Sequence, residues 1–185
     1  MNAGSGLPLN GWVFLLLYWL LLFLTFAAPA EGVLSWLSAA QLVGMTLQVV
    51  WILQAGLYAF RVQTMEAPLS PREANRRRFL IVFSIISLIA TWCLVPMSIF
   101  HGDIEAYPDL QDIVAPVVVI LFFASAFITI YLASEALLDA EREPTGMVHT
   151  CVMLLYLGFF APFLYARLKS LSLGADIGKP SSNPA

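Results

Sequence analysis

Charged residues are scarce in this sequence. Only 11% of its 185 residues are Asp, Glu, Lys or Arg, whereas 60% are hydrophobic. Soluble domains average about 25% charged and about 45 to 50% apolar residues, so this composition excludes an ordinary soluble domain. The net charge is only -3, and the few basic residues cluster beside a hydrophobic run instead of forming an extended basic surface. We therefore expect no nucleic-acid partner.

Cysteine is equally rare. The chain contains only Cys93 and Cys151, and both lie inside apolar segments. Two such residues do not form a disulfide framework. Their depths along the predicted helices differ by about 15 Å, whereas the Cα atoms of a disulfide lie within about 7 Å of each other. We therefore predict two free thiols.

Long hydrophobic runs dominate the sequence instead. A transmembrane helix needs about 20 mostly apolar residues. Five runs meet this requirement, at 12–28, 34–60, 79–100, 113–137 and 147–165. Each run is continuously apolar, whereas a membrane β-strand alternates apolar and polar residues. We therefore predict an all-α polytopic transmembrane helical bundle of about five spans, with residues 1–170 as one domain and residues 171–185 as a disordered tail.

The first run has an alternative interpretation. It is followed by Ala28-Pro29-Ala30, a small-x-small pattern that signal peptidase accepts. No Lys or Arg precedes Arg61, so the positive region of a signal peptide is missing. We favour a first span, and cleavage after residue 30 stays the alternative.

Basic residues predict the orientation of the bundle. The loop between the second and third runs carries Arg61, Arg72, Arg76, Arg77 and Arg78, and the loops on either side carry no Lys or Arg. Because cytoplasmic loops carry the excess of Lys and Arg, we predict that loop 61–78 is cytoplasmic in a multi-pass protein of a cell membrane, in the simplest case the bacterial inner membrane. Five spans would place Arg167 and Lys169 on the other side. A re-entrant fifth run, with all basic residues on one side, stays open.

Two helical extensions of opposite charge are predicted at this cytoplasmic end. Ser70-Pro71-Arg72-Glu73 is a capping-box pattern, which predicts a helix that begins near Pro71 and continues into the third run. The fourth run likewise continues through Glu135 and Asp139, which lie one turn apart on one helix face. We predict that the two extensions pair. The topology and partner residues are therefore Arg72, Arg76, Arg77, Arg78, Glu135 and Asp139.

Neutral polar residues form stripes within three runs. These are Gln41 and Gln48 in the second run, Ser84, Ser87 and Thr91 in the third, and Ser125 and Thr129 in the fourth. Small and hydroxyl-bearing faces let membrane helices approach closely and form hydrogen bonds, so we interpret the stripes as packing surfaces. A polar path for a transported solute is the alternative. No ionisable side chain is predicted at the middle of a run, which leaves a proton relay without a carrier.

Candidate metal and cofactor ligands are few. His101, Asp103 and Glu105 lie in one loop, but a metal site needs three or four ligands of fixed geometry. We expect a solvated acidic loop there and no metal. His149 and Met153 begin a helical stripe, yet a haem would need a facing second histidine, so we expect no cofactor. No nucleophile, phosphate-loop or intramembrane-protease motif occurs, and we expect no enzymatic activity.

The C-terminal part of the chain resembles small uncharacterised bacterial membrane proteins with five spans. The resemblance rests on residues 131–141, Tyr-Leu-Ala-Ser-Glu-Ala-Leu-Leu-Asp-Ala-Glu, and on the aromatic-rich 159–168, which ends in Arg167-Leu168. The chain departs from that pattern at Tyr165-Ala166, where a Gln-Pro pair would be expected before the arginine. The resemblance implies an architecture and no activity.

These features favour a non-enzymatic accessory, assembly or scaffold subunit that acts through helix packing. Its expected partners are the lipid bilayer and other membrane subunits or further copies of itself. A small transporter or oligomeric channel with a Gln/Ser/Thr-lined path is the alternative function.

Overall fold

A computed structural model of the chain describes residues 7–27, 34–99, 108–141 and 146–177. These ranges contain six helices: α1 (Gly11–Ala27), α2 (Leu34–Glu66), α3 (Pro71–Ile99), α4 (Pro108–Ala140), α5 (Met147–Leu155) and α6 (Leu157–Ile177). No strand occurs within the described ranges. The predicted all-α fold class is therefore confirmed.

The first four helices follow the first four predicted runs. The α2 helix continues beyond its run to Glu66, and α3 begins at Pro71, as the capping-box pattern predicts. Two segments, Ala40–Met65 and Pro116–Ala140, have the length and hydropathy needed to cross a membrane. By length and composition, α2 and α4 are therefore candidate membrane spans.

Helices α2, α3 and α4 form the three-helix core of the molecule. They meet at Gly56, where an added Cβ atom would lie 2.6 Å from Cδ2 of Leu80 and 3.3 Å from Cβ of Ala133. A residue without a side chain at this point lets the three helices approach closely. Leu80 and Ala133 are themselves fully buried.

Helix α1 packs against α6 and α2 through two glycines and its aromatic residues. A Cβ atom on Gly11 would collide with the main-chain carbonyl group of Ala161, and one on Gly158 would lie 2.5 Å from Cε1 of Tyr18. On the α2 side, the rings of Phe14 and Trp51 lie 5.8 Å apart. The indole nitrogen of Trp51 also donates a hydrogen bond to the carbonyl of Leu9, at 2.9 Å.

The predicted fifth run, 147–165, is not one helix. The backbone leaves the helical conformation at Tyr156, where φ is -98° and ψ is 41°. Arg167 then contacts Thr150 at 3.3 Å and Met153 at 3.5 Å. In one continuous helix these residues would be separated by about 25 and 21 Å. The prediction of one continuous helix over this run is therefore wrong, and α5 and α6 form a helical hairpin.

Helix α6 extends into the predicted C-terminal tail. Helix α6 continues to Ile177, so the prediction of disorder is wrong for residues 171–177. Leu171 packs against the hydrophobic core, which accounts for the helical continuation. Residues 178–185 lie outside the described residues, as do Ala28-Pro29-Ala30 and the weighed metal ligands His101, Asp103 and Glu105.

Candidate functional site at the charged end of the bundle

The start of α3 is fixed by a reciprocal capping box. The backbone N–H of Ser70 donates to Oε2 of Glu73 at 2.6 Å, and the N–H of Glu73 donates to the hydroxyl of Ser70 at 3.3 Å. These bonds hold the pKa of Glu73 below its ordinary value of 4.5. Their contribution to stability is therefore present above pH 4.5 and is lost as the pH falls through the lowered pKa.

The three consecutive arginines that follow point in different directions, because successive helical residues are rotated by about 100°. Arg76 faces α4, and its guanidinium lies 2.9 Å from Asp139 and 3.4 Å from Glu135. Arg77 lines a cavity beside α2. Arg72, Arg77 and Arg78 are all exposed. The structure thus brings the predicted extensions together through Arg76.

A second ion pair at this end joins α6 to the end of α4. Nε and Nη2 of Arg167 donate to the two carboxylate oxygens of Glu141, each at 2.8 Å. The side chains of Arg167 and Glu141 are only 19% and 11% exposed. Two parallel charge-assisted bonds of this kind fix orientation as well as distance. Arg167 is therefore held beside the last residues of α4.

The Arg167–Glu141 pair was not predicted from the sequence. The available signal was the position of Arg167 directly after an apolar run, which a five-span topology would place away from the other arginines. In the structure Arg76, Glu135, Asp139, Glu141 and Arg167 lie together, and we call them the charged end.

The turn of the hairpin obtains hydrogen bonds from other helices. Pro162 has no N–H, so the carbonyl of Gly158 has no donor within α6. The indole nitrogen of Trp19 donates to that carbonyl at 3.0 Å. The amide nitrogen of Gln48 donates to the carbonyl of Leu155 at 3.3 Å. Gln48, a residue of the alternative polar path, thus satisfies a main-chain carbonyl at the turn of the hairpin.

The hydroxyl stripes are buried in the core, and all of their hydroxyls except that of Ser87 bond within their own helices. Ser84, Ser87, Thr91, Ser125 and Thr129 are all at least 98% buried. Ser84 donates to the carbonyl of Leu80 at 2.7 Å, and Thr91 and Thr129 donate to the carbonyls four residues before them at 2.8 Å. Burial places these faces in the packing interfaces, but the hydrogen bonds of Ser84, Thr91 and Thr129 do not cross between helices.

Two cavities lie along the Gln48 side of α2. One, of about 350 Å³, is bounded by Tyr18, the exposed Gln41 and Gln48. The other, of about 160 Å³, lies between α2, α3, α4 and α5, and its walls include Ser87, Thr129 and Leu155. The hydroxyl oxygen of Ser87 has no hydrogen-bond partner among the described residues. Most of the α4 wall of this second cavity is formed by Phe122, Phe123, Ala126 and Phe127.

Among the described residues, no three or more His, Cys, Asp or Glu side chains are grouped so that they could hold a metal ion. Both cysteines are free, as predicted, and Cys151 donates to the hydroxyl of Ser134 at 3.2 Å. His149 is exposed, and the break at Tyr156 interrupts the stripe that begins at His149.

Comparisons with known proteins give no match: no family model, no curated protein and no solved structure is significantly similar to the chain.

Proposed function

We propose that this protein is an integral membrane protein in which α1 to α4 span the bilayer and the α5–α6 hairpin is re-entrant. In that membrane it acts as a non-enzymatic accessory, assembly or scaffold subunit. The observation that carries the proposal is the ion pair between Arg167 and Glu141, because it returns α6 to the end of α4 from which α5 departs.

The outer surface of the helices supports placement in lipid. Large apolar side chains with high exposure occur along several helices, for example Trp12 (65%), Phe23 (68%), Ile120 (65%) and Phe163 (62%). Soluble monomers rarely expose contiguous apolar surface on this scale. A bilayer or neighbouring membrane subunits would cover it.

The dimensions of the hairpin suit a re-entrant segment. Helix α5 has 9 residues, which extend about 13 Å, whereas the hydrocarbon core is about 30 Å thick. The return from Leu157 to Arg167 covers about 15 Å. Non-helical backbone at membrane depth is tolerated only where it is satisfied inside the protein. The bonds from Gln48 and Trp19 supply that support.

The distribution of charge supports a cytoplasmic charged end. The arginines of residues 61–78 and Arg167 lie at the same end, and basic residues near span ends are typical of the cytoplasmic side. This orientation, in the simplest case in a bacterial inner membrane, places both termini in the cytoplasm. It removes the conflict that Arg167 causes in a five-span topology.

A role through helix packing is supported by the ion pairs and hydrogen bonds that the polar side chains make inside the protein. Arg76 and Arg167 are paired with carboxylates, and the stripe hydroxyls of Ser84, Thr91 and Thr129 bond to their own helices. Such groups stabilise and orient helices and provide no charged route across the bundle.

Cross-linking in intact membranes followed by extraction in mild detergent tests this role. We expect the full chain to be recovered in a specific complex with itself or with another membrane protein. The exposed α1 residue Trp12 offers a position for a photoreactive side chain, and the buried Phe14 offers a matched control on the same helix. Recovery of a lone monomer from both positions would contradict the role.

A small transporter or channel stays the second candidate because of the cavity that Ser87 and Gln48 line. Single cysteines at positions 48 and 91, in a Cys93→Ser, Cys151→Ser background, test it. Labelling of both by a water-soluble thiol reagent would support a polar path, with a cysteine at the exposed position 78 as the positive control. If position 78 alone reacts, the transport function is wrong.

A further inference from the structure

We propose that Arg61 and Arg77 form a binding site for a phosphate group, supplied by the headgroup of an anionic phospholipid. The lipid source rests on the membrane placement proposed above. The phosphate chemistry rests on the cavity itself.

The site is a cavity of about 520 Å³ between α2 and α3, within the range of about 300 to 1,000 Å³ typical of ligand pockets. Along α2 its walls are formed by residues that recur once per turn, Gln54, Tyr58, Arg61 and Thr64, and α3 contributes Arg77. Residues spaced in this way share one face of a helix. One face of α2 thus meets one arginine of α3.

The direction of Arg77 separates it from its neighbours in the sequence. Arg76 is turned to the carboxylates of α4, whereas Arg77 lines the same cavity as Arg61. Two arginines in the wall of one cavity give it positive charge, which favours an anionic ligand. Each presents a planar set of N–H donors that matches two phosphate oxygens. A phosphate group between them would be bound by both helices.

The position of the cavity favours a lipid headgroup over a soluble phosphate. The site lies at the arginine-bearing end of α2 and α3, and Leu7 and Leu57 add apolar surface to its wall. Basic pockets between helices on the cytoplasmic side of a membrane are suited to anionic headgroups, since the acyl chains stay in the bilayer while the phosphate enters the pocket.

Native mass spectrometry of the full chain in a neutral detergent tests the site. The probe is phosphatidylglycerol, and inorganic phosphate is titrated in a parallel arm to represent a soluble source. We expect Arg61→Gln with Arg77→Gln to weaken phosphatidylglycerol binding by at least about tenfold, as expected for lost charge-assisted bonds. The matched control, Arg72→Gln with Arg78→Gln, removes the same charge from positions that do not line the cavity and should change binding by less than about twofold.

The two arms distinguish the outcomes. Equal weakening in the control pair would show binding to charge in general and would overturn the site. Binding of inorganic phosphate that depends on Arg61 and Arg77, without binding of phosphatidylglycerol, would uphold the phosphate site and overturn the lipid source. Absence of binding in both arms would overturn both. Arg77→Lys keeps the charge but loses the two-pronged geometry, so an intermediate affinity would support phosphate recognition even if the double variant failed to fold.

Failure of the membrane proposal is detected separately. A chain released from membranes by an alkaline wash would contradict membrane integration, whereas the inorganic phosphate arm would still report on the cavity.

Discussion

The three-helix core and the hairpin are held in place by different kinds of contact. In the core, Gly56, Leu80 and Ala133 pack closely, and the hydroxyls of Ser84 and Thr91 bond within their own helix. In the hairpin, Trp19 and Gln48 donate to main-chain carbonyls, and Arg167 pairs with Glu141. A continuous helix satisfies its own backbone, so packing suffices to hold it. A broken helix needs donors from its neighbours.

The largest effect is expected from Arg167→Leu, which breaks the ion pair of the hairpin. It leaves the carboxylate of Glu141, only 11% exposed, without its partner, and such a loss destabilises by about 3 kcal/mol. Unfolding of the full chain in detergent, followed by circular dichroism, measures the change in free energy. Arg76→Leu removes a more exposed pair and should cost about 1 kcal/mol or less.

The double substitution Arg167→Leu, Glu141→Leu removes both charges and should recover much of the loss. Equal destabilisation by Arg167→Leu and Arg76→Leu would contradict a special role for the Arg167–Glu141 pair.

The next largest effect is expected from Gly11→Ala. The new methyl group would meet the main chain at Ala161, which cannot move aside as a side-chain end can, and overpacking of this kind costs about 2 kcal/mol. Gly44→Ala is the matched control, because nothing lies within 4 Å of the added atom, and it should be neutral or stabilising by about 0.5 to 1 kcal/mol. The same unfolding measurement compares the two, and equal effects would show that α1 does not pack tightly against α6.

A smaller loss, about 1 kcal/mol, is expected from Trp19→Phe, which removes the donor to the carbonyl of Gly158. Pro162→Ala restores a backbone N–H that can bond to this carbonyl. Trp19→Phe should therefore cost little in a Pro162→Ala background. A loss of the same size in both backgrounds, measured by unfolding, would show that the indole acts only through packing.

The smallest effect is expected in the core from Ser84→Ala. Its hydroxyl bonds to the carbonyl of Leu80, which a helix satisfies without it, so the loss should stay below about 0.6 kcal/mol. Loss of more than about 1.5 kcal/mol in the unfolding measurement would indicate a bond across the helix interface and would remove the contrast with the hairpin.

Local and one-dimensional features of this chain were predictable from the sequence. The capping box needs only Ser70 and Glu73, which are three residues apart. The helical extension of α4 followed from the absence of a helix breaker between the fourth run and Pro144. Both extensions therefore lay at the same end, and Arg76 does meet Glu135 and Asp139.

Local sequence features did not favour the hairpin over a single fifth helix. Residues 147–165 are predominantly apolar, and the break at Tyr156 falls at neither a proline nor a glycine. Its hydrogen-bond donors, Gln48 and Trp19, lie 107 and 139 residues away along the chain. The sequence shows how far along a helix a residue lies better than it shows which neighbouring helix its side chain faces. Arg76, Arg77 and Arg78 were therefore predicted as one cluster, although in the structure Arg76 faces α4 and Arg77 lines a cavity beside α2.

The location of the C-terminus tests the proposed re-entrant hairpin most directly. A reporter that is active only in the cytoplasm can be fused after Ala185, and a second fusion can place it in loop 67–70 as the internal reference. With α5 and α6 re-entrant, both fusions are active, and a reporter specific for the opposite compartment is inactive at both sites. An active loop fusion together with a C-terminus on the opposite side would contradict the re-entrant hairpin and restore a fifth span.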